Sequence, residues 1–72
     1  MPQARLSLLT APERGLARQL ADGMTNAEIA DKRGVSRLNI DHHVMTLMVK
    51  LNVVSRSELV AILKAELDGR PA

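Results

Sequence analysis

The stretch TNAEIADKRGVSRLNIDHHVMTLMVKL, residues 25–51, decides the fold. It opens with Thr25 and, three residues later, Glu28. In this Ser/Thr-x-x-Glu pattern the hydroxyl accepts from the Glu amide while the carboxylate reaches back to the cap amide, so a helix begins here. Ile29 and Ala30 supply an apolar face, and Arg33-Gly34-Val35-Ser36 follows. Gly34 lets the chain reverse tightly. Val35 is placed to plug the core between two helices, and Ser36 caps the next one. In that next helix Ile40, Val44, Leu47 and Leu51 recur at helical spacing. A short helix, a Gly-containing turn and a longer helix make a helix-turn-helix.

The same signals recur on both sides. Thr10 with Glu13 and Ser55 with Glu58 repeat the capping pattern. Gly23 stops a first helix, Asn52 tolerates the left-handed conformation that ends the third, and Gly69-Arg70-Pro71 follows the fourth. Helices are predicted over 11–22, 26–33, 37–51 and 56–68. No segment alternates as a strand would, and there is no internal repeat or domain-dividing linker. The expected architecture is all-α, a four-helix (tetrahelical) helix-turn-helix domain over 9–68, with a leader at 1–8 and a tail at 69–72.

Composition narrows the function classes. At 72 residues the chain holds one domain, which buries only about 60% of its unfolded surface and needs tight helix packing or a partner. Phe, Tyr and Trp are absent, so the aromatic stacking that grips single-stranded nucleic acid is unavailable. Cys is absent as well, which excludes disulfides and thiolate zinc sites. No apolar run approaches the roughly 18 residues of a membrane span. Met1–Ser7 lacks the apolar stretch of a signal peptide. The expected location is therefore cytoplasmic, with no membrane partner. Net charge is only +2, but five of the ten bases (Lys32, Arg33, Arg37, Lys50 and Arg56) lie between residues 32 and 56, with Asp41 the one acid there. A positive middle suits a surface that faces a DNA duplex; a solvated face accounts for it equally well.

From Leu9 to Val60 the sequence resembles the LuxR/FixJ/NarL/GerE group of DNA-binding domains nearly without gaps. The resemblance is carried by Leu9-Thr10, Glu13-Arg14, Ala21, Gly23, Thr25-Asn26, Glu28-Ile29-Ala30, Gly34-Val35-Ser36, Ile40, His43, Lys50-Leu51, Val53 and Arg56. It implies a bacterial transcription regulator that binds double-stranded DNA by sequence, with helix 37–51 in the major groove. By the same resemblance Asp41, His42 and Met45 read bases, and Thr25, Asn26, Arg37, Asn39, Lys50 and Arg56 contact phosphates. Helical periodicity independently places 37, 38, 41, 42 and 45 outward, opposite Ile40, Val44, Leu47 and Leu51. Met45 is thereby placed to touch a thymine methyl.

The resemblance also makes helix 56–68 the usual dimer contact. Leu59, Val60, Ile62, Leu63 and Leu67 span an arc of about 160° at 100° per residue, wider than one core contact requires. A homodimer touching through Leu59, Ile62, Leu63 and Glu66 is expected, with a related regulator or RNA polymerase as further partners.

Departures from the family pattern set up a second reading. Asn39-Ile40-Asp41 stands where Thr-Val-Lys is usual, so an acid replaces a DNA-contacting Lys, although Asp can accept from cytosine N4. Ala27 replaces a Lys before Glu28, and Arg33 stands at an apolar position from which it must snorkel. Gly15 replaces a helix former within the first helix, and Asn52 replaces a Gly. Asp41, Ala27 and the apolar arc favour a degenerate helix-turn-helix that binds a protein, as an antagonist of a related regulator. If Arg37, Lys50 and Arg56 surround Asp41 on one face, DNA binding is favoured over that role.

His42 and His43 point about 100° apart on a helix and cannot chelate one ion together; no metal or cofactor is expected. His43 is expected at the helix edge and His42 on the DNA side. Ser, His and Asp occur without a nucleophile elbow or room for a substrate pocket, so the chain does not read as an enzyme.

Overall fold

A computed structural model describes residues 6–68. Among them a 3-10 turn at Leu6–Leu8 precedes α1 (Ala11–Ala21), α2 (Asn26–Arg33), α3 (Arg37–Leu51) and α4 (Arg56–Asp68), with no strand. Each helix starts where its capping residue stands. Thr10 and Thr25 accept from the amides of Glu13 and Glu28, whose carboxylates take the two cap amides, both at 2.8 Å. Ser36 and Ser55 accept from the amides of Asn39 and Glu58 at 3.1 Å. Pro12 in the first turn of α1 occupies a place where a missing N–H costs nothing.

Three helices stop by one device. After α1, α2 and α3 the residues Gly23, Gly34 and Asn52 take positive φ, at 88°, 69° and 57°. In each case the following amide reaches back to a carbonyl five residues earlier: Met24 to Gln19, Val35 to Ala30 and Val53 to Met48. This double closure satisfies carbonyls that the helix end would otherwise orphan. Asp22, expected as the last residue of the first helix, instead caps it. The stop expected at Gly69-Arg70-Pro71, with the tail 69–72 and leader residues 1–5, lies outside the described residues.

The core is one cluster. α2 lies chiefly against α3 and α1 chiefly against α4. Leu20, Ile29, Ile40, Leu47, Leu59 and Leu63 are its largest fully buried side chains, so every helix contributes. Burying each such side chain stabilises by about 1.5–3 kcal/mol, a large share of the roughly 4–10 kcal/mol typical of this length. Among the described residues, no helix is long and apolar enough to cross a membrane.

One expectation is corrected by this packing. Val35 does not plug the core: its backbone closes the α2 stop while its side chain is 41% exposed. The expected leader, 1–8, holds a residue that touches the core. Leu6 already packs against the core, and its carbonyl accepts from the Leu9 amide and the Arg14 Nε. On α4, Leu59 and Leu63 have no exposed surface and Glu66 is buried within this chain. Of the expected dimer contacts only Ile62 keeps partial exposure, and it too leans on the core.

Candidate nucleic-acid interface

The inward residues of α3, Ile40, Val44, Leu47 and Leu51, are buried, which turns its opposite side to solvent. Exposed there are Arg37, Leu38, His42, Met45 and Val49, with Asp41 half-buried at the margin. The expected base readers Asp41, His42 and Met45 thus share one side of one helix. The fold also brings the N-terminus of α2 beside it. The α2 capping box uses the Thr25 and Glu28 amides, leaving those of Asn26 and Ala27 at the positive end of the helix, where an anion is favoured.

Asp41 is not a bare acid on this surface. Its Oδ1 accepts from Asn26 Nδ2 at 2.8 Å and lies 4.0 Å from Arg37 Nε, one helical turn earlier. Asn26 Oδ1 in turn accepts from Arg56 Nη1 at 2.6 Å, and Arg56 Nη2 donates to the Met24 carbonyl at 2.9 Å. A chain of contacts therefore runs Arg37–Asp41–Asn26–Arg56 and joins α3, α2 and the start of α4. It fixes the Asn26 amide, because only one orientation both donates to a carboxylate and accepts from a guanidinium.

Lys50 departs from that group. Its Nζ donates to Glu13 Oε1 at 2.6 Å, an oxygen that also accepts the Thr10 amide. The Lys50 hydrogen bond, followed by that of the Thr10 backbone, holds the Glu13 carboxyl below its ordinary range. Of the three cations whose gathering around Asp41 would favour DNA binding, Arg37 and, through Asn26, Arg56 gather there, and Lys50 sits on the far flank of α3. Asn39 and Thr25 are exposed at the starts of their helices.

The unusual residues Gly15 and Arg33 meet. Arg33 is exposed, as snorkelling requires, and its Nε donates to Gln19 Oε1 at 2.7 Å. Its Nη2 lies 3.4 Å from where a Cβ on Gly15 would be. His43 is exposed at the helix edge and lines a shallow cleft with Thr10, Pro12, Glu13 and Arg33.

Two groups escaped the sequence reading of the site. Leu38 and Val49 are 62% and 74% exposed on the reading side; the helical period places Leu38 outward without giving it a role, and carrying it on to the end of α3 finds Val49. Glu13, which takes Lys50 from 37 residues away, left no local signal.

The family model for bacterial regulatory proteins of the luxR family matches residues 7–63. Three curated relatives are similar. A probable transcriptional regulatory protein, SgaR, of Hyphomicrobium methylovorum is 44% identical over 79% of this chain and 27% of its own length. Transcriptional regulatory protein ComA of Bacillus subtilis is 36% identical over 89% of this chain and 30% of its own. A nitrate/nitrite response regulator protein homolog of Haemophilus influenzae is 41% identical over 71% and 24%. The chain therefore spans less than a third of the length of these relatives. No solved structure matches it significantly.

Proposed function

We propose that this chain, which belongs to the luxR family of bacterial regulatory proteins, binds double-stranded DNA in transcription regulation, with α3 in the major groove. The family is one of regulators, not of enzymes. The observation that carries the reading is the contact chain Arg37–Asp41–Asn26–Arg56. It gathers two cations and a helix N-terminus beside the first turns of α3, the part of a recognition helix that meets base edges. Arg37, Arg56 and the first-turn amides of α2 then face phosphates, while Thr25 and Asn39 add hydroxyl and amide groups at the same edge. Lys50 reaches a phosphate by exchanging Glu13 for it.

In this reading Asp41 positions other groups. With Oδ1 shared between Asn26 and Arg37, its carboxylate holds the amide and the guanidinium toward the duplex and offsets the repulsion an unpaired acid would bring. His42 and Met45 remain to face the bases.

The test is a residue-resolved NMR titration with a mixed-sequence duplex at low salt and again at about 200 mM, where phosphate-driven binding falls steeply. Salt-sensitive shifts on residues 37–45, with Thr25 and Arg56, are expected. A folded protein without shifts at low salt overturns the reading and turns the search to a protein partner. Arg37→Ala should reduce the salt dependence by about one phosphate contact while lowering affinity evenly across sequences.

A further inference from the structure

The outward side of α3 has a composition that names its target. Leu38, His42, Met45 and Val49 follow one another at intervals of four, three and four. At 100° per residue they fall within an arc of about 60°, opposite the buried Ile40, Val44, Leu47 and Leu51. These four are therefore the side chains that project furthest from the core. Three are apolar and largely bare: Leu38 is 62%, Met45 65% and Val49 74% exposed.

The stripe contains no Arg, Lys, Asn or Gln, the residues that read guanine or adenine by paired hydrogen bonds. Arg37 and Asn39 stand about 100° to either side of Leu38, toward the walls of a groove and not its floor. The other polar neighbours are engaged within the chain. Asp41 Oδ1 accepts from Asn26 and lies near Arg37. Thr46 Oγ1 donates to the His42 carbonyl, and Lys50, beside Val49, donates to Glu13. In the major groove the one apolar feature of the bases is the C5-methyl of thymine.

We propose that α3 reads thymine methyl groups, with Leu38 and Met45 as the principal specificity-determining residues. The inference rests on the DNA-binding reading above and adds the class of sequence bound. Leu38 and Met45 are separated by about 10 Å along the helix, or about three base-pair steps at 3.4 Å each. The half-site therefore carries thymines within a window of about three base pairs, on either strand. Val49, one turn or about 6 Å beyond Met45, extends the apolar contact past that window.

The experiment begins with duplexes selected by the whole chain from a random pool. Affinity for the best duplex is then compared, at fixed salt, with the same duplex carrying deoxyuridine in place of the half-site thymines. This change removes only the C5-methyl. The expected loss is about fourfold for each contacted methyl. Met45→Ala and Leu38→Ala, at exposed positions that leave the fold intact, should bind the thymine duplex more weakly and no longer distinguish it from the deoxyuridine duplex.

Selected duplexes without thymine in the half-site overturn the inference. So do equal affinities for the two duplexes, or full discrimination retained by both variants; in each of these cases DNA binding itself stands. Failure to bind any duplex at low salt defeats the DNA reading as well and leaves the stripe as a surface for protein.

Discussion

α3 and α4 carry comparable apolar surpluses and use them in opposite ways. On α4, Leu59 and Leu63 vanish into the core, and Ile62 and Leu67 lean against it. On α3, a full set of core residues is buried and a second apolar stripe, Leu38, Met45 and Val49, is left outside. The reason is geometric. α4 lies along α1, where a terminal helix of a small domain must use a wide arc to close the core. α3 already has α2 against its inner side, with α1 and α4 touching it more lightly, so no element remains to cover the other side. Equal hydrophobicity along two helices thus says nothing about whether a stripe serves folding or recognition.

Substitution separates the two stripes, and the largest effect is expected on α4. Leu63→Ala should cost about 3 kcal/mol, within the 2–5 kcal/mol range for truncating a buried Leu. Met45→Ala should change stability by less than about 0.5 kcal/mol, as exposed positions do. Urea denaturation of both variants checks this. A Met45 variant as unstable as the Leu63 variant would mean that the outer stripe is also a structural face, and the contrast would collapse.

A middle-sized effect sits at the start of α2, which supports the outer side of α3. Thr25→Ala removes the hydroxyl that accepts the Glu28 amide and should cost about 1 kcal/mol. Because Thr25 is also proposed to face a phosphate, DNA affinity should fall by more than the stability loss explains. Binding measured well below the melting temperature checks it.

Gly15→Ala should act in the opposite direction. A Cβ there meets only the Arg33 guanidinium at ordinary contact distance, so the change should stabilise by up to about 1 kcal/mol through helix propensity. DNA binding should be untouched, since Arg33, the one side chain a Cβ on Gly15 would meet, is not among the residues proposed to face DNA. A destabilised variant would show that the Arg33–Gln19 hydrogen bond depends on the bare backbone beneath it.

The smallest effect concerns the flank of α3 held by Glu13. Its carboxyl is depressed in the folded chain below an ordinary value near 4.5. The contribution of this group is therefore fully present above that value and is lost as pH falls through the lower folded one. The stability gap between the native chain and Glu13→Gln should narrow on acidification below about pH 4.5 and stay constant from pH 5 to 8. At neutral pH the gap should be under about 1 kcal/mol, the range of partly exposed ion pairs. Thermal melts at several pH values measure it; a gap that widens in acid would contradict the Lys50–Glu13 pairing.

Much of this was legible in the linear chain. Thr10, Thr25, Ser36 and Ser55 mark four helix starts because a cap interacts with an amide three residues on. Gly23, Gly34 and Asn52 mark three stops because the left-handed conformation is a property of a single residue. The inward stripe of α3 followed from its period. By the same period Leu38 was known to face outward, and Met45 was placed to meet a thymine methyl, but Val49 and the continuity of the outer apolar stripe were not seen. Part of the apolar surplus on α4 was read as a surface for a second copy; which part the core of this chain takes, Leu59 and Leu63, was not legible. Contacts such as Asp41–Asn26, Arg56–Asn26 and Lys50–Glu13 join residues 15, 30 and 37 positions apart, beyond the reach of any local pattern.

By itself, then, the sequence determined the helices, their ends, their faces and the family, since caps, turns and periodicity act over a few residues. Only the tertiary structure decided which apolar face is buried and which is bare, and that Asp41 meets Asn26 and Arg37 while Lys50 meets Glu13. Those outcomes depend on how the helices lie against one another, and the free energy of burial attaches to that arrangement, not to any one segment.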